Sequence, residues 1–459
     1  MTRLLVVAYY FPPLGGAGTQ RFAKFCKYLP EYGVEPVVLT AGSIETNSNA
    51  PHDDPTLMAD VPAIVERVDE PWRGTFARRV MKKLRFYLDE DEWADTAETH
   101  AVEMARRLRP EAVITTLSPF ACYRIGMRLK RELGLPWLVD LRDPWSLDGW
   151  RWYRTRVHAA YDLARMREAL RTADFVIANV PEAKKAFVAL GAAPERTVVI
   201  PNGFDEVDFA GQAVAAAPSD DRFHLVHVGT FHAVDAAEGL TADTLVSKRH
   251  RQIAPLGRTG YYLLHALASL RNRAPDAYGR MRVDLYGLVD ATHRALIERL
   301  GVGDVVTAHG YVPHRESIVR LCAADAVFVP LHGVPAGERA LVVPGKLYEA
   351  LASERPVLAA VPPGDAADLV QALAAGSVVA PTDAEQLSRE LEALVRAKIS
   401  GAPRSGCRRR DLAMFSRRHL TSLLAAVVKG AVRREAVDVA DPWQAVRRTG
   451  GGGGRAETA

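Results

Sequence analysis

Four stretches of this 459-residue chain carry residue types and spacings suited to chemistry on a phosphorylated ligand. In the stretch from Tyr10 to Arg21, Gly15, Gly16 and Gly18 would let the backbone approach a ligand closely. A helix beginning there offers unbonded N–H groups and a partial positive charge to phosphate. A glycine-rich turn that only connects two elements is the plainer reading, and the spacing is not the GxGxxG of a nicotinamide cofactor site. Between Leu138 and Trp145, Arg142 and Asp143 follow an apolar run. Asp143 can accept a proton or a hydroxyl hydrogen bond, and Arg142 can hold phosphate or carboxylate with two parallel bonds. An Arg–Asp pair that merely fixes the loop before Pro144 is the alternative. The earlier strand end Thr115–Phe120, which includes Ser118, faces the same edge and can help line a cleft.

The third stretch is Val343–Ser353, where Pro344 and Gly345 open a helix. Lys346 sits near its start, which opposes the helix dipole unless an anion binds there, and a diphosphate fits. Glu349, one turn along, can then take ribose hydroxyls; a surface Lys–Glu pair is the alternative. The fourth follows an apolar run ending at Gly229, where Gly229, Thr230 and Phe231 turn outward. Arg258 precedes a helix over Tyr261–Leu270 with the core stripe Leu263, Leu264 and Leu267, and an arginine placed there can stabilise a leaving diphosphate. The long connection His232–Gly257, with Lys248, Arg249 and Arg251, reads as either functional or disordered.

A basic cluster, Arg73, Arg78, Arg79, Lys82, Lys83 and Arg85, interleaves with Phe76, Val80, Met81, Leu84 and Phe86. Such a helix can lie on an anionic membrane or be a solvated helix paired with Asp89–Glu92. No Ser/His/Asp order or DxD-type pair stands at a strand end, so no metal is expected. Stacking aromatics on a broad basic face are also absent, so no nucleic-acid partner is expected.

These residues need strands to position them. Continuous apolar runs occur at Leu4–Phe11, Pro36–Thr40, Ala112–Thr115, Trp137–Leu141, Phe175–Ala178 and Thr197–Ile200. They recur at Phe223–Gly229, Met281–Gly287, Val305–Gly310, Ala326–Leu331, Pro356–Val361 and Ser377–Ala380. Unbroken runs suit parallel strands buried on both faces, and helical segments between them give right-handed βαβ units. Six runs in each half predict two Rossmann-like, doubly wound α/β domains, 1–205 and 206–411, with a hinge near Pro201–Asp205. Residues 412–432 read as a further helix, and 433–459, ending in a glycine run, as a flexible tail.

Composition fits this reading: 48% hydrophobic and 25% charged residues describe a folded globular chain. A net charge of +4 is too near balance to imply a nucleic-acid partner by itself. Four scattered cysteines without CxxC predict neither zinc knuckle nor disulfide framework, and therefore a reducing compartment. No stretch approaches the roughly 18 apolar residues of a membrane span, so a cytoplasmic protein, peripheral at most at the inner face of the membrane, is expected.

Taken in order, Tyr9–Gly16, Asp140–Trp145, Ala173–Ala178, Pro201–Asp205, Tyr286–Gly287, His309–Val312 and Pro344–Glu349 resemble the retaining glycosyl transferases group 1. Arg142 and Gly345 resemble a subgroup acting in bacterial surface-polysaccharide pathways. The resemblance covers roughly residues 3–425. It implies a GT-B fold, two Rossmann domains facing a cleft, with the last helix crossing back to the first domain. It implies a nucleotide-diphosphate sugar as donor, a hydroxyl acceptor (glycan, lipid-linked or small molecule) and no other cofactor. Arg258 and Lys346 would bind the diphosphate and Glu349 the ribose. Gly229 and Thr230 would border the donor, the Gly15–Gly16 loop would close over it, and the backbone at Tyr311 would read the base. Many relatives carry a glutamate where this chain has Leu341, with Glu338 nearby out of register. Two other readings of the fold are a nucleotide-sugar epimerase and a non-catalytic nucleotide-sugar-binding partner.

Overall fold

The computed structural model describes the chain except residues 16, 43–54, 59, 60, 62, 70–74, 85, 87, 88, 212–219, 235–248, 403 and 451–459. Two compact units emerge. The first takes Met1–Asn202 and Arg417–Pro442, with Arg249 and His250 attached. The second takes the other described residues from Gly203 to Ser416, and those from Trp443 onward.

The first unit is built on seven parallel strands: β1 (Thr2–Val7), β2 (Val34–Ala41), β3 (Ile64–Val68), β4 (Ala112–Leu117), β5 (Trp137–Leu141), β6 (Phe175–Ala178) and β7 (Thr197–Val199). Their order is β3-β2-β1-β4-β5-β6-β7. Leu4–Val7 and Val37–Leu39 are buried throughout, as expected for strands covered on both faces. Phe22, Phe25 and Cys26 of the helix Ala17–Tyr28 share one core with Leu420, Leu424, Val427 and Val428 of the helix Arg417–Arg433. Those last four positions recur at helical spacing, and burying each such side chain contributes about 1.5–3 kcal/mol. Strand β3 lies outside the expected set. Its sequence, Ile-Val-Glu-Arg-Val, mixes charge into the run because it is an edge strand, and Glu66 accepts from Arg107.

The second unit has six parallel strands: β8 (Phe223–Val228), β9 (Met281–Tyr286), β10 (Val306–Gly310), β11 (Ala326–Pro330), β12 (Val357–Ala360) and β13 (Gly376–Val379). Their order, β10-β9-β8-β11-β12-β13, repeats that of the first six strands of the other sheet. Leu263, Leu264, Leu267 and Leu270 of the helix Tyr261–Arg273 pack on Met281, Val283 and Leu285. Both sheets therefore have a topological switch point, between β1 and β4 in one and between β8 and β11 in the other. There the helices leave to opposite faces and a crevice opens at the strands' carboxyl ends. Together these sheets make the two-domain GT-B type of α/β fold.

The expectation of a flexible tail from residue 433 is corrected. Residues Pro442–Gly450 form a helix, Trp443 and Val446 are buried, and the Trp443 ring lies edge-on to Phe415 at 5.4 Å. Two apolar side chains three positions apart give this helix a face to bury. The glycine run beyond it lies outside the described residues.

Candidate active site

At the second unit's switch point the backbone itself makes the space. Gly229, just past β8, has φ +112°, and Gly287, just past β9, has φ +131°. A Cβ on Gly287 would fall 2.5 Å from the Gly229 carbonyl, so these two turns pack backbone on backbone. A Cβ on Gly229 would fall 2.8 Å from Lys346 Nζ. The missing side chain is the room the ammonium uses.

Lys346 reaches this point from the first turn of the helix Gly345–Ala352, entered through Pro344. Its Nζ donates to Nε2 of His227, 3.3 Å away. His227 is a buried residue of β8 whose Nδ1 lies 2.9 Å from the Phe328 carbonyl of β11. A carbonyl only accepts, so Nδ1 carries the proton and Nε2 presents its lone pair to Lys346. The His227 ring stacks on Phe231 at 4.1 Å, and Phe231 stacks in turn on His293 at 5.6 Å. His293 Nδ1 meets Asp290 Oδ1 at 2.7 Å and its Nε2 meets the Thr259 carbonyl at 2.5 Å. This column ties β8 to the turn Pro255–Arg258, at whose end Arg258 stands.

Positive charge accumulates here. Burial, reinforced by the neighbouring charge of Arg258 and opposed by Glu349, brings the Lys346 ammonium down to about 7. Burial, then Arg258 and Lys346, brings His232 down to about 3. His332 is likewise brought to about 3 by burial, Arg258, His232 and Arg251. His227 is held well below its ordinary value by burial and Lys346, against the opposing pull of the Phe328 and Gly229 carbonyls. Beyond burial, Arg258 bears on Lys346, His232 and His332, and Lys346 on His227 and His232, so the histidines stay neutral and an anion would relieve the two cations.

Glu349 lies one turn beyond Lys346 and accepts from His314 Nε2 at 2.9 Å, with Asp208 3.8 Å from the far ring nitrogen. Thr230 and Tyr311 are exposed at the ends of their strands. From the long connection, Arg251 pairs with Glu338 at 2.8 Å and donates to the Arg339 carbonyl, while Leu341 is buried. Residues 235–248 of that connection lie outside the described residues.

The first unit's switch point gathers Arg142, Asp143, Ser118 and the turn after β1. Arg142 Nη1 occupies the place a Gly18 side chain would take, 1.9 Å from its ideal Cβ. Its guanidinium lies 5.5 Å from the Tyr10 ring centre, and Nη2 is 3.4 Å from the Ser118 carbonyl. Asp143 Oδ2 is 3.4 Å from Arg142 Nε. Gly15 is partly exposed in the same turn, and Gly16 lies outside the described residues. Below them Arg21 is wholly buried against Asp140.

Arg258, Lys346, Glu349, Gly229, Thr230 and Tyr311 thus belong to the second unit, and Gly15, Ser118, Arg142 and Asp143 to the first. Sequence reasoning missed His227 and His314. A histidine inside the β8 run, which also holds His224 near its start, was the available signal for His227. His314 opens its helix without any such mark. Among the described residues no group of three or more His, Cys, Asp or Glu side chains could hold a metal ion, and no helix is long and apolar enough to cross a membrane.

Residues 15–203 match the glycosyl transferase 4-like domain, and residues 258–397 match glycosyl transferases group 1. Between them the two matches span most of the chain. This chain carries a glycosyl transferase 4-like domain followed by a glycosyl transferases group 1 domain. It is a hexosyltransferase-type enzyme built for nucleotide-sugar glycosyl transfer. No curated protein matches this glycosyltransferase in sequence. Solved structures share its fold: sucrose-phosphate synthase from Thermosynechococcus elongatus at 15% identity and TM-score 0.56, with 98% of each chain covered. Anabaena HepE in complex with UDP-glucose is 16% identical at TM-score 0.53, again with 98% of each chain covered. UDP-GlcNAc 2-epimerase from Methanocaldococcus jannaschii is 10% identical at TM-score 0.53, covering 94% of this chain and 99% of its own.

Proposed function

We propose that this glycosyltransferase moves a sugar from a nucleotide-diphosphate sugar to a hydroxyl acceptor with retention of configuration. The observation that carries the reading is the Lys346 ammonium seated against the Gly229 turn, 2.8 Å from where a Cβ would stand, with burial and Arg258 both disfavouring its charge. A diphosphate bridging these two cations relieves both penalties. As the bond from the anomeric carbon to the phosphate oxygen breaks, negative charge grows on that oxygen, and Arg258 and Lys346 stabilise it there. The acceptor oxygen bonds to the same face of the anomeric carbon, and its proton passes to the departing phosphate. That route needs no dedicated acid/base pair from the protein.

Glu349, with His314 behind it, is placed to take ribose hydroxyls, Gly229 and Thr230 to border the diphosphate, and the backbone at Tyr311 to meet the base. Arg142 and Ser118 are assigned to the acceptor, and Asp143 is assigned a catalytic role, accepting a proton or a sugar hydroxyl's hydrogen bond. The solved HepE complexes contain UDP, UDP-glucose or UDP and glucose, which makes UDP-sugars the first donors to try. A thermal-shift panel of nucleotide sugars tests the donor, since a specific one stabilises the fold by mass action. Product NMR then reads the anomer. No stabilisation by any nucleotide sugar, or an inverted product, overturns the corresponding part of the proposal.

The epimerase neighbour favours a second reading. Incubating the protein with nucleotide sugars and no acceptor separates them: an epimerase changes the sugar, whereas a transferase gives at most slow hydrolysis. Nucleotide-sugar binding without turnover on any acceptor would instead mark a non-catalytic partner.

We also propose peripheral contact with an anionic membrane at the inner face through the helix Phe76–Lys83. This helix buries none of its residues; Phe76 is 84% exposed, and Val80 and Leu84 are exposed along the same face. Arg78 and Lys82 are paired with Asp95 and Glu92, whereas Arg79 and Lys83 are exposed beside the apolar residues. Co-sedimentation with phosphatidylglycerol vesicles, but not with phosphatidylcholine ones, should be lost in Phe76→Ser/Lys83→Glu. Equal sedimentation of both proteins would exclude this surface.

A further inference from the structure

We propose that His227 is a positioning residue of the donor site, its Nε2 lone pair fixing the Lys346 ammonium in the space that Gly229 leaves open. The proposal rests on reading Lys346 as a diphosphate ligand. Three observations converge on it. The His227 ring cannot turn, because Phe231 stacks on it at 4.1 Å within 6° of parallel and Phe328 lies against it at 6.0 Å. Its Nδ1 donates to the Phe328 carbonyl, which leaves Nε2 as the ring atom that can accept, and the Gly229 carbonyl also bears on the ring. That atom lies 3.3 Å from Lys346 Nζ and is the one hydrogen-bond acceptor the ammonium has among the described residues.

The groups that bear on Lys346 come from four places: His227 from β8, His232 from the segment after it, Arg258 from the turn before the helix Tyr261–Arg273, and Glu349, held by His314, from its own helix. Arg258 disfavours the ammonium and Glu349 favours it. His227 acts on the same side as Glu349, because a hydrogen bond to the charged form stabilises that form. It also fixes direction: Nζ is drawn toward β8, beside the Gly229 turn where the diphosphate is expected. Without the acceptor, a desolvated amine on a flexible four-carbon stem loses both its charge and its address.

His227→Phe keeps the aromatic stack and removes the acceptor, and His227→Gln restores an acceptor without the ring. Competitive acetylation of the full chain with acetic anhydride across a pH series, read by mass spectrometry, reports the titration midpoint of Lys346 against the other lysines. That midpoint should fall by about one pH unit in His227→Phe and recover in His227→Gln. UDP affinity at pH 7 should weaken roughly tenfold in His227→Phe and recover with it. A purely structural histidine would lower the unfolding temperature of both variants and leave the Lys346 midpoint in place, which overturns the proposal. An unchanged midpoint in folded His227→Phe does the same. If the midpoint moves yet wild-type protein binds no nucleoside diphosphate, the His227–Lys346 link stands and the donor reading falls.

Discussion

Each unit holds a cation near its switch point, Arg21 fully buried and Lys346 partly so, and the two are held in opposite ways. Arg21 and Asp140 are each 1% exposed and meet through two hydrogen bonds of 3.1 and 2.7 Å. The rest of the guanidinium donates to the carbonyls of Ile200 and Pro201 and to Asn202, and Thr116 completes the carboxylate. Lys346 has one neutral acceptor, a cation, Arg258, bearing against its charge, and as its counter-charge only Glu349, which is itself bonded to His314. A buried charge satisfied within the protein holds architecture. One left short of counter-charge marks a place where a ligand supplies it.

The sharpest test of that contrast is stability. Asp140→Asn strands Arg21 without its counter-ion and should cost about 3–5 kcal/mol in denaturant unfolding. Lys346→Met should cost nothing and should stabilise the ligand-free protein at pH 6. The sign follows from linkage. Between about 7 and its ordinary value, the unfolded chain holds the Lys346 proton and the folded chain does not, so stability rises with pH through that window. Below about 7 the penalty of charging the buried amine is fully present, and Met removes it. Equal destabilisation by both substitutions would erase the distinction.

Catalysis should reverse the ranking. Lys346→Met and Arg258→Ala should each lower the transfer rate by about 10²–10³-fold, the scale of removing one preorganised stabiliser of developing charge. Near-normal turnover in either variant would end its assignment to the diphosphate.

Glycines sharpen the comparison further. Gly229→Ala forces a side chain into φ +112°, at a strain cost of about 1–3 kcal/mol, and pushes its methyl toward Lys346 Nζ, 2.8 Å from the ideal Cβ. Stability and UDP affinity should fall together. Gly134 of the first unit also has positive φ, but a Cβ there meets nothing within 4 Å, so Gly134→Ala should lower the unfolding temperature and leave UDP affinity unchanged.

What the sequence made legible follows from the same distinction. Buried parallel strands advertise themselves as unbroken apolar runs, so twelve of the strands, the two sheets and the glycine turns could be read directly. The charged edge strand β3 and the helix that buries Trp443 could not. The first lacks the continuous pattern, and the second depends on a core found only through tertiary packing. Lys346 was visible because a lysine at a helix start runs against the dipole. Its environment was not: His227 is 119 positions away, and the bond between them exists only once β8 and β11 lie side by side.

The gentlest probe of Lys346 leaves the sequence untouched. With its ammonium titrating at about 7, UDP affinity should be level below that pH and weaken by about tenfold per pH unit above it, until the pKa of the bound state is reached. A bound diphosphate favours the charged amine, so binding at pH 8 should take up a proton. Calorimetry in HEPES and in Tris, whose ionisation enthalpies differ, would show that uptake as a buffer-dependent heat. Lys346→Met should bind more weakly and abolish the buffer dependence, whereas Asp140→Asn, where it folds, should keep it. Proton uptake that survives in Lys346→Met would move the titrating group elsewhere in the cationic cluster, and heats independent of buffer in the wild type would mean the diphosphate does not rest on Lys346 at all.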